Sequence, residues 1–262
     1  MSSRANGKRA GFTIVELLVD IAVITVLMSV LVPALASARE LGRRAKCKGN
    51  LRCVAAAFQM YGLRPANRDR LPVVQAGNWL WDIDYNITDL VIAEGGEPKT
   101  FYCPSEMTKR AEWVGWWMWS QWNSIGQPHY SEPTKMYLPQ ESPNRTAYFR
   151  VAGYFWLVQK VDASGNKTRG AISGTPPKEW AVSLSQEFAS DVELATDATL
   201  YDGVSFEIAG GSAGRAGWGG VKDKTNHMAG NVAAGGNIAF IDGHVEWRSW
   251  GKMQKRMGNH WW

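Results

Sequence analysis

FTIVELLVDIAVITVLMSVLVPALA, residues 12 to 36, is the stretch on which the fold turns. From Ile21 to Leu35 it carries no charge, and counting back to Phe12 only Glu16 and Asp20 interrupt it. A run of about 20 apolar residues is what one helix needs to cross a bilayer core, so a membrane-spanning helix is expected here. A carboxylate at the bilayer centre costs roughly 2.5 to 3.5 kcal/mol. Glu16 and Asp20 lie near one end instead, and their i, i+4 relation puts both on one helix face. Such an acidic stripe asks for a cationic partner.

Upstream, residues 1 to 11 (MSSRANGKRAG) are short, polar and basic. Downstream the helical pattern continues. Leu51, Val54, Ala55, Phe58 and Gly62 recur at helical spacing with Cys47 one turn earlier, which predicts one long helix, lipid-buried first and amphipathic afterwards. Pro65 and Asn67 follow, so the helix should end near Gly62. Three readings of the N-terminus stand side by side. One is a plain membrane anchor. Another is a secretory signal peptide cut after the small-x-small triplet Ala34-Leu35-Ala36.

The third comes from resemblance. Lys8-Arg9-Ala10-Gly11 running into Phe12-Thr13-Ile14-Val15-Glu16-Leu17-Leu18 resembles the N-terminal signal of type IV prepilins and type II secretion pseudopilins. The resemblance implies a prepilin peptidase that cuts between Gly11 and Phe12 and methylates the Phe12 amine. Glu16 would then pair with the terminal amine of a neighbouring subunit, Asp20 adding a second acidic group to the same site. It implies a leader at 1–11, a transmembrane half-helix at 12–36, an amphipathic half at 37–62 and a globular domain at 63–262. The fold implied is α+β: a long helix packed on an antiparallel sheet. The partners it implies are the peptidase, other pilin-like subunits of a homo- or hetero-oligomeric filament, and membrane lipid. The localisation the resemblance implies is the inner (cell) membrane, single-pass, with the globular domain periplasmic or extracellular. Arg39, Arg43, Arg44, Lys46, Lys48 and Arg52 outnumber the basic groups of the leader, and the positive-inside rule alone would place that domain in the cytoplasm. The leader resemblance overrides this, because the peptidase works from the cytoplasmic side.

Further along, Cys47-Lys48-Gly49-Asn50-Leu51, Leu71-Pro72 and Phe101-Tyr102-Cys103-Pro104-Ser105 resemble a group of pilin-like proteins abundant in planctomycete and lentisphaera bacteria. So does Asn237-Ile238-Ala239-Phe240-Ile241-Asp242-Gly243-His244-Val245-Glu246-Trp247. In that group a histidine precedes Asp-Gly by about nine residues. Asn237, Phe240, Asp242, Gly243, His244 and Val245 match, whereas fourteen residues separate His227 from Asp242. Either the Gly-Ala stretch between them is an insertion or His227 is unrelated.

Read on its own chemistry, Asp242-Gly243 between two apolar runs is a hairpin signal. A two-residue turn would set Phe240 opposite Val245 and Ile238 opposite Trp247, all on one apolar face. Tyr148 to Val161 is aromatic and β-branched and stops at Asp162-Ala163-Ser164-Gly165-Asn166, which predicts a strand entering a turn. Gly210–Gly220 and Ala229–Gly236 read as Gly-rich loops.

The chain has three cysteines with no C-x-x-C spacing. In an extracytoplasmic domain a Cys47–Cys103 disulfide is the preferred pairing, contributing roughly 4 to 5 kcal/mol in the chain-entropy view. The alternative is three reduced, buried thiols. Asp242, His244 and His227 offer ligands to a metal, calcium included, but the hairpin already accounts for Asp242 and Gly243, and no cofactor is expected. With no HExxH, P-loop or dinucleotide fingerprint, no enzyme activity is expected either.

Composition excludes little beyond disorder, collagen and a multi-pass membrane protein: 262 residues, 45% apolar, 29 basic against 24 acidic. Loss of the leader would leave a nearly neutral chain, so no nucleic acid is expected as partner. Fourteen tryptophans are an excess, and Trp113, Trp116, Trp117, Trp119 and Trp122 fall together. They are the core of an insertion, a subunit contact, or a glycan-stacking platform on a membrane-anchored binding module, the rival to the filament reading.

Overall fold

A computed structural model describes residues 13–75, 80–105, 119–120, 148–162, 164–175, 178–209 and 222–262. The expected α+β architecture is present. The chain divides into two units after Gly42, and helix α1 (Ile14–Gly62) runs through both.

In the first unit α1 starts on a reciprocal cap. The Glu16 backbone N–H donates to Thr13 Oγ1 at 3.2 Å, and the Thr13 backbone N–H donates back to Glu16 Oε2 at 2.8 Å. This T-x-x-E pair satisfies donors that a helix start leaves open. Every side chain from Thr13 to Arg39 is exposed, and the helix is long and apolar enough to cross a membrane. Its hydroxyls suit lipid, because Thr25 donates to the Ala22 carbonyl at 2.8 Å and Ser29 to the Val26 carbonyl at 2.7 Å. The helix continues through Pro33. Asp20 is exposed on it.

In the second unit the expected stripe is buried. Cys47, Leu51, Val54, Ala55, Phe58 and Gly62 all face inward, joined by Asn50 and Ala57. A Cβ at Gly62 would lie 2.6 Å from Leu184 Cδ1, so a glycine there lets the chain pack close as the helix ends. Cys53 is only partly buried, at the margin of this core.

The strands are β1 (Asp82–Asp84), β2 (Trp119–Ser120), β3 (Tyr148–Val151), β4 (Tyr154–Trp156), β5 (Glu193–Asp197), β6 (Glu207–Ala209), β7 (Lys222–Lys224), β8 (Met228–Ala229), β9 (Val232–Ala233), β10 (Gly235–Phe240), β11 (Val245–Ser249), β12 (Lys255–Met257) and β13 (His260–Trp261). The central antiparallel sheet has the order β11-β10-β5-β4. A short helix α2 (Tyr85–Ala93) follows β1. Both faces of the central sheet are covered. Tyr154, Trp156, Ala195, Ala239 and Val245 share a core with α1, whereas Phe155, Ile238 and Phe240 share one with Leu157, Ile172, Leu200 and Trp262. This is why β5 and β10 lack clean alternation: every residue in them is buried. Glu193 of β5 accepts from Arg248 Nη1 on the edge strand β11 and from Trp262 Nε1 at the end of the chain, each at 2.7 Å.

Several expectations are corrected. The β10–β11 register pairs Ala239 with Val245 and Asn237 with Trp247, one residue away from a two-residue turn. The Phe240 N–H donates to the His244 carbonyl at 3.0 Å, leaving Ile241, Asp242 and Gly243 as a three-residue loop with Gly243 at φ +89°. A slip of one residue moves side chains between faces, so Phe240 and Ile238 lie opposite the face of Val245 and Trp247. Substituting Gly243→Ala would force a β-carbon into the left-handed region 2.9 Å from Gln59 Nε2, whose own N–H holds the Ile241 carbonyl. We expect it to cost roughly 1 to 2 kcal/mol in urea unfolding, and a neutral result would refute the three-residue loop.

The Tyr148–Val161 run is interrupted at Ala152-Gly153 between β3 and β4, but its terminal turn is present, with Asp162 Oδ1 accepting the Ser164 and Asn166 N–H groups. Ala229–Gly236 is not a plain loop; it holds the β8–β9 hairpin and the start of β10. Trp119 is in a strand, while Trp113, Trp116, Trp117, Trp122 and Gly210–Gly220 lie outside the described residues.

Candidate functional site

Four segments distant in sequence meet at one buried point. On α1, Cys47 and Asn50 lie about one turn apart and both point inward. A 3₁₀ helix, Pro98–Phe101, ends in an extended Tyr102-Cys103, held by the Gly153 N–H on the Phe101 carbonyl at 2.8 Å. A Cβ on Gly153 would lie 3.2 Å from Tyr102 Cα and 3.3 Å from Cys103 N, so a side chain there would push the two backbones a few tenths of an ångström apart. Asp197 ends β5, with Gly236 beside it where a Cβ would come within 2.9 Å of Asp197 Cβ. His227 precedes β8 at φ +55°, a left-handed backbone that costs a residue with a Cβ about 1 kcal/mol or more.

The ligating atoms of Cys47, Cys103, Asp197 and His227 all lie within 4.8 Å of one another, and all four residues are buried. The Cys47 thiol donates to Asp197 Oδ1 at 2.9 Å. His227 Nε2 stands 3.2 Å from Asp197 Oδ2 and 3.3 Å from Cys103 Sγ. Each is braced from behind. His227 Nδ1 meets Ser105 Oγ at 2.9 Å. Asp197 Oδ2 accepts the backbone and side-chain N–H of Asn237, at 2.7 and 3.0 Å. Asn226 Nδ2 donates to Asp197 Oδ1 at 3.1 Å and to the Gly153 carbonyl at 3.0 Å. Asn50 Nδ2 donates to the Tyr102 carbonyl at 3.2 Å. Tyr154 places its hydroxyl 3.4 Å from Cys47 Sγ. Trp247 closes the imidazole edge-on at 5.3 Å, under the Arg44 guanidinium.

The electrostatics are those of a tight cluster of opposed charges. Burial opposes the charged form of His227, but the facing Asp197 carboxylate outweighs it and raises the imidazole to about 11. Burial by itself would raise the Asp197 carboxyl. The His227 charge and the hydrogen bonds from His227 and Cys47 offset that and hold it below its ordinary value. Burial, with a hydrogen bond to Cys103 and the nearby Asp197 charge, pushes the Cys47 thiol well up. For Cys103 burial again works against the thiolate, yet the hydrogen bonds from Cys47 and His227 prevail and bring the thiol down. Cys103 is therefore the easier of the two thiols to ionise and Cys47 the harder.

The site gathers much of what the sequence singled out. Cys47, Cys103, His227 and Asn237 are brought together. Cys47 and Cys103 are free thiols, so the expected disulfide is not formed. Each sulfur has a polar partner instead, Asp197 for one and His227 for the other. The Asp242, His244 and His227 set is not assembled. Asp242 Oδ1 and His244 Nδ1 meet at 2.6 Å on an exposed loop, and His244 stacks on Phe240 at 4.1 Å, while His227 is buried in the cluster. Glu16 belongs to the helix cap. Gly11 and Phe12 lie outside the described residues. Asp197, Asn226, Ser105 and Tyr154 were not among the expected site residues; the one signal for Asp197 is an acid that follows the uncharged run Leu194-Ala195-Thr196.

The arrangement does not have the relay of a nucleophilic triad. There the orienting carboxylate sits on the ring nitrogen opposite the nucleophile. Here Cys103 and Asp197 face the same Nε2, and Cys103 is fully buried. No protein family profile, curated protein or solved structure matches the chain.

Proposed function

We propose that this chain is a structural, pilin-like subunit: held in the membrane by residues 12–36, cut after Gly11, and assembled by burying these helices together in a pseudopilus or type IV pilus-like filament. The observation that carries the reading is the character of α1. Its first part exposes apolar side chains throughout, Leu17, Leu18, Ile24, Leu27 and Leu31 among them, and its second part is the spine of an α+β head. A bare apolar surface of this extent calls for lipid or for copies of itself. The basic leader and the Gly11-Phe12 junction, with Glu16 at the fifth position after it, choose the filament over a simple anchor. A Glu16 carboxylate leaving water is stabilised by a neighbouring subunit's amine at a helix N-terminus, which sets the axial register of packing.

The test is mass spectrometry of the N-terminal peptide from protein made in a cell that carries a prepilin peptidase. A chain beginning with a methylated Phe12 is the expected result. One beginning at Ser37 would mean an ordinary signal peptide, and an uncut chain a plain anchor; either overturns the filament reading.

A further inference from the structure

We propose that Cys47, Cys103, Asp197 and His227 form a structural zinc site that clamps α1 to the head. This goes beyond the filament reading and does not depend on it.

Three observations carry the inference. The first is geometry. Zinc takes four N, S and O ligands as a tetrahedron with bonds of roughly 2.0 to 2.3 Å, which sets ligand atoms about 3.3 to 3.8 Å apart. The four atoms here already lie within 4.8 Å of one another, with Cys103 Sγ to His227 Nε2 at 3.3 Å and His227 Nε2 to Asp197 Oδ2 at 3.2 Å. Small movements centre them on one ion. The second is the outer shell. A ligating imidazole usually donates its other N–H to an oxygen, and ligating carboxylates are themselves hydrogen-bonded. Ser105 Oγ stands at His227 Nδ1, and Asn237 and Asn226 hold both oxygens of Asp197. The third is the backbone of His227, held left-handed at φ +55° so that its ring reaches the cluster.

The donor set chooses the ion. Two thiolates, an imidazole and one carboxylate in a closed four-ligand site suit zinc and not calcium or magnesium, which take hard oxygen ligands. Burial of all four residues leaves no open position, the mark of a structural rather than a catalytic site. Zn²⁺ takes both sulfurs as thiolates and the imidazole as the neutral ring, so its entry releases whatever protons these groups carry and leaves a site of net charge −1 that the Asn237 and Asn226 amides face. A disulfide would use the same two sulfurs, so the two states exclude each other. The disulfide gives no role to the strained His227 or to Asp197, whereas the metal uses both.

The test takes the full chain, purified in detergent with a tag free of histidine, and measures bound metal by mass spectrometry. About one zinc per chain is expected, as for a single four-ligand site. Cobalt(II) exchanged into it should give the visible and near-ultraviolet thiolate bands of a tetrahedral site. Cys47→Ser and His227→Ala should each lose the zinc, and Cys53→Ser should keep it. If a variant fails to fold, the cobalt spectrum of the unaltered chain decides. Chains without zinc and without cobalt–thiolate bands would overturn the proposal. So would a Cys47–Cys103 disulfide in non-reduced peptides, or zinc retained by folded Cys47→Ser.

Discussion

Replacing Glu16 by glutamine is expected to leave the subunit in the membrane and remove it from filaments. One role of this carboxylate is the helix cap and the other is the proposed pairing between subunits, and glutamine separates them. Within the chain, Glu16 Oε2 accepts from the Thr13 N–H and hydroxyl, each at 2.8 Å, closing the helix cap. A capping box works with glutamine as well as glutamate, so Glu16→Gln keeps the start of α1. Between chains, the proposed partner is a cationic amine, and an amide does not neutralise it. A charge at the bilayer centre costs roughly 2.5 to 3.5 kcal/mol, an upper bound for groups near one end of the span, so loss of the pair should cut incorporation by at least about 10-fold and by no more than about 100-fold. Glu16→Ala removes cap and charge together and should assemble no better. Sheared filaments measured against total membrane protein give the ratio. Normal incorporation of the glutamine variant beside failure of the alanine variant would show that the residue acts through the cap alone.

How legible each part was follows from the physics that governs it. The helix Ile14–Gly62 was readable because one variable, apolar side chains at helical spacing, fixes both its long apolar stretch and its buried face, and the structure buries the expected stripe from Cys47 to Gly62. The hairpin at Asp242-Gly243 was readable as a turn but not in its register. Loops of two and of three residues both accept Asp-Gly, and which one forms depends on packing from Gln59 and on two sheet faces that are both apolar. With apolar residues on both faces, alternation has nothing to report. The cluster was half readable. Cys47 and Cys103 were paired because sequence offers only sulfurs to a search for bridges. Asp197 gives no such signal, and His227 reads as a partner of Asp242 and His244, because the convergence of the two is a property of tertiary structure: a β5 end, a left-handed turn, and glycines that let backbones close. The Trp-rich stretch was readable only as composition.

Trp156→Ala should be the most destabilising single change in the head. Trp156 is fully buried in β4, between Phe101 with ring centres 6.0 Å apart and Tyr154 edge-on at 6.4 Å. It shares one core with Leu51, Val54, Ala55 and Phe58 of α1, so its removal opens a cavity beneath the helix. Large-to-small changes of this kind cost about 3 to 5 kcal/mol. For a domain of roughly 200 residues that is a fall in Tm on the order of 10 °C, to be read by thermal unfolding of the full chain in detergent. A second variant separates packing from polarity. Among the described residues Trp156 Nε1 is buried with no hydrogen-bond partner, a group that itself costs about 1 to 3 kcal/mol. Trp156→Phe loses part of the ring but also that unsatisfied N–H, and the two effects oppose each other. It should therefore fall within about 1 kcal/mol of the natural chain, while alanine falls far below. The cavity also lies behind Tyr154, whose hydroxyl touches Cys47 and Asn50. The alanine variant should accordingly loosen the Cys47 cluster, and its thiols should react faster with a maleimide than those of the phenylalanine variant. Equal stability of the two variants would mean that the helix does not lean on Trp156, and the shared core drawn between α1 and the sheet would be wrong.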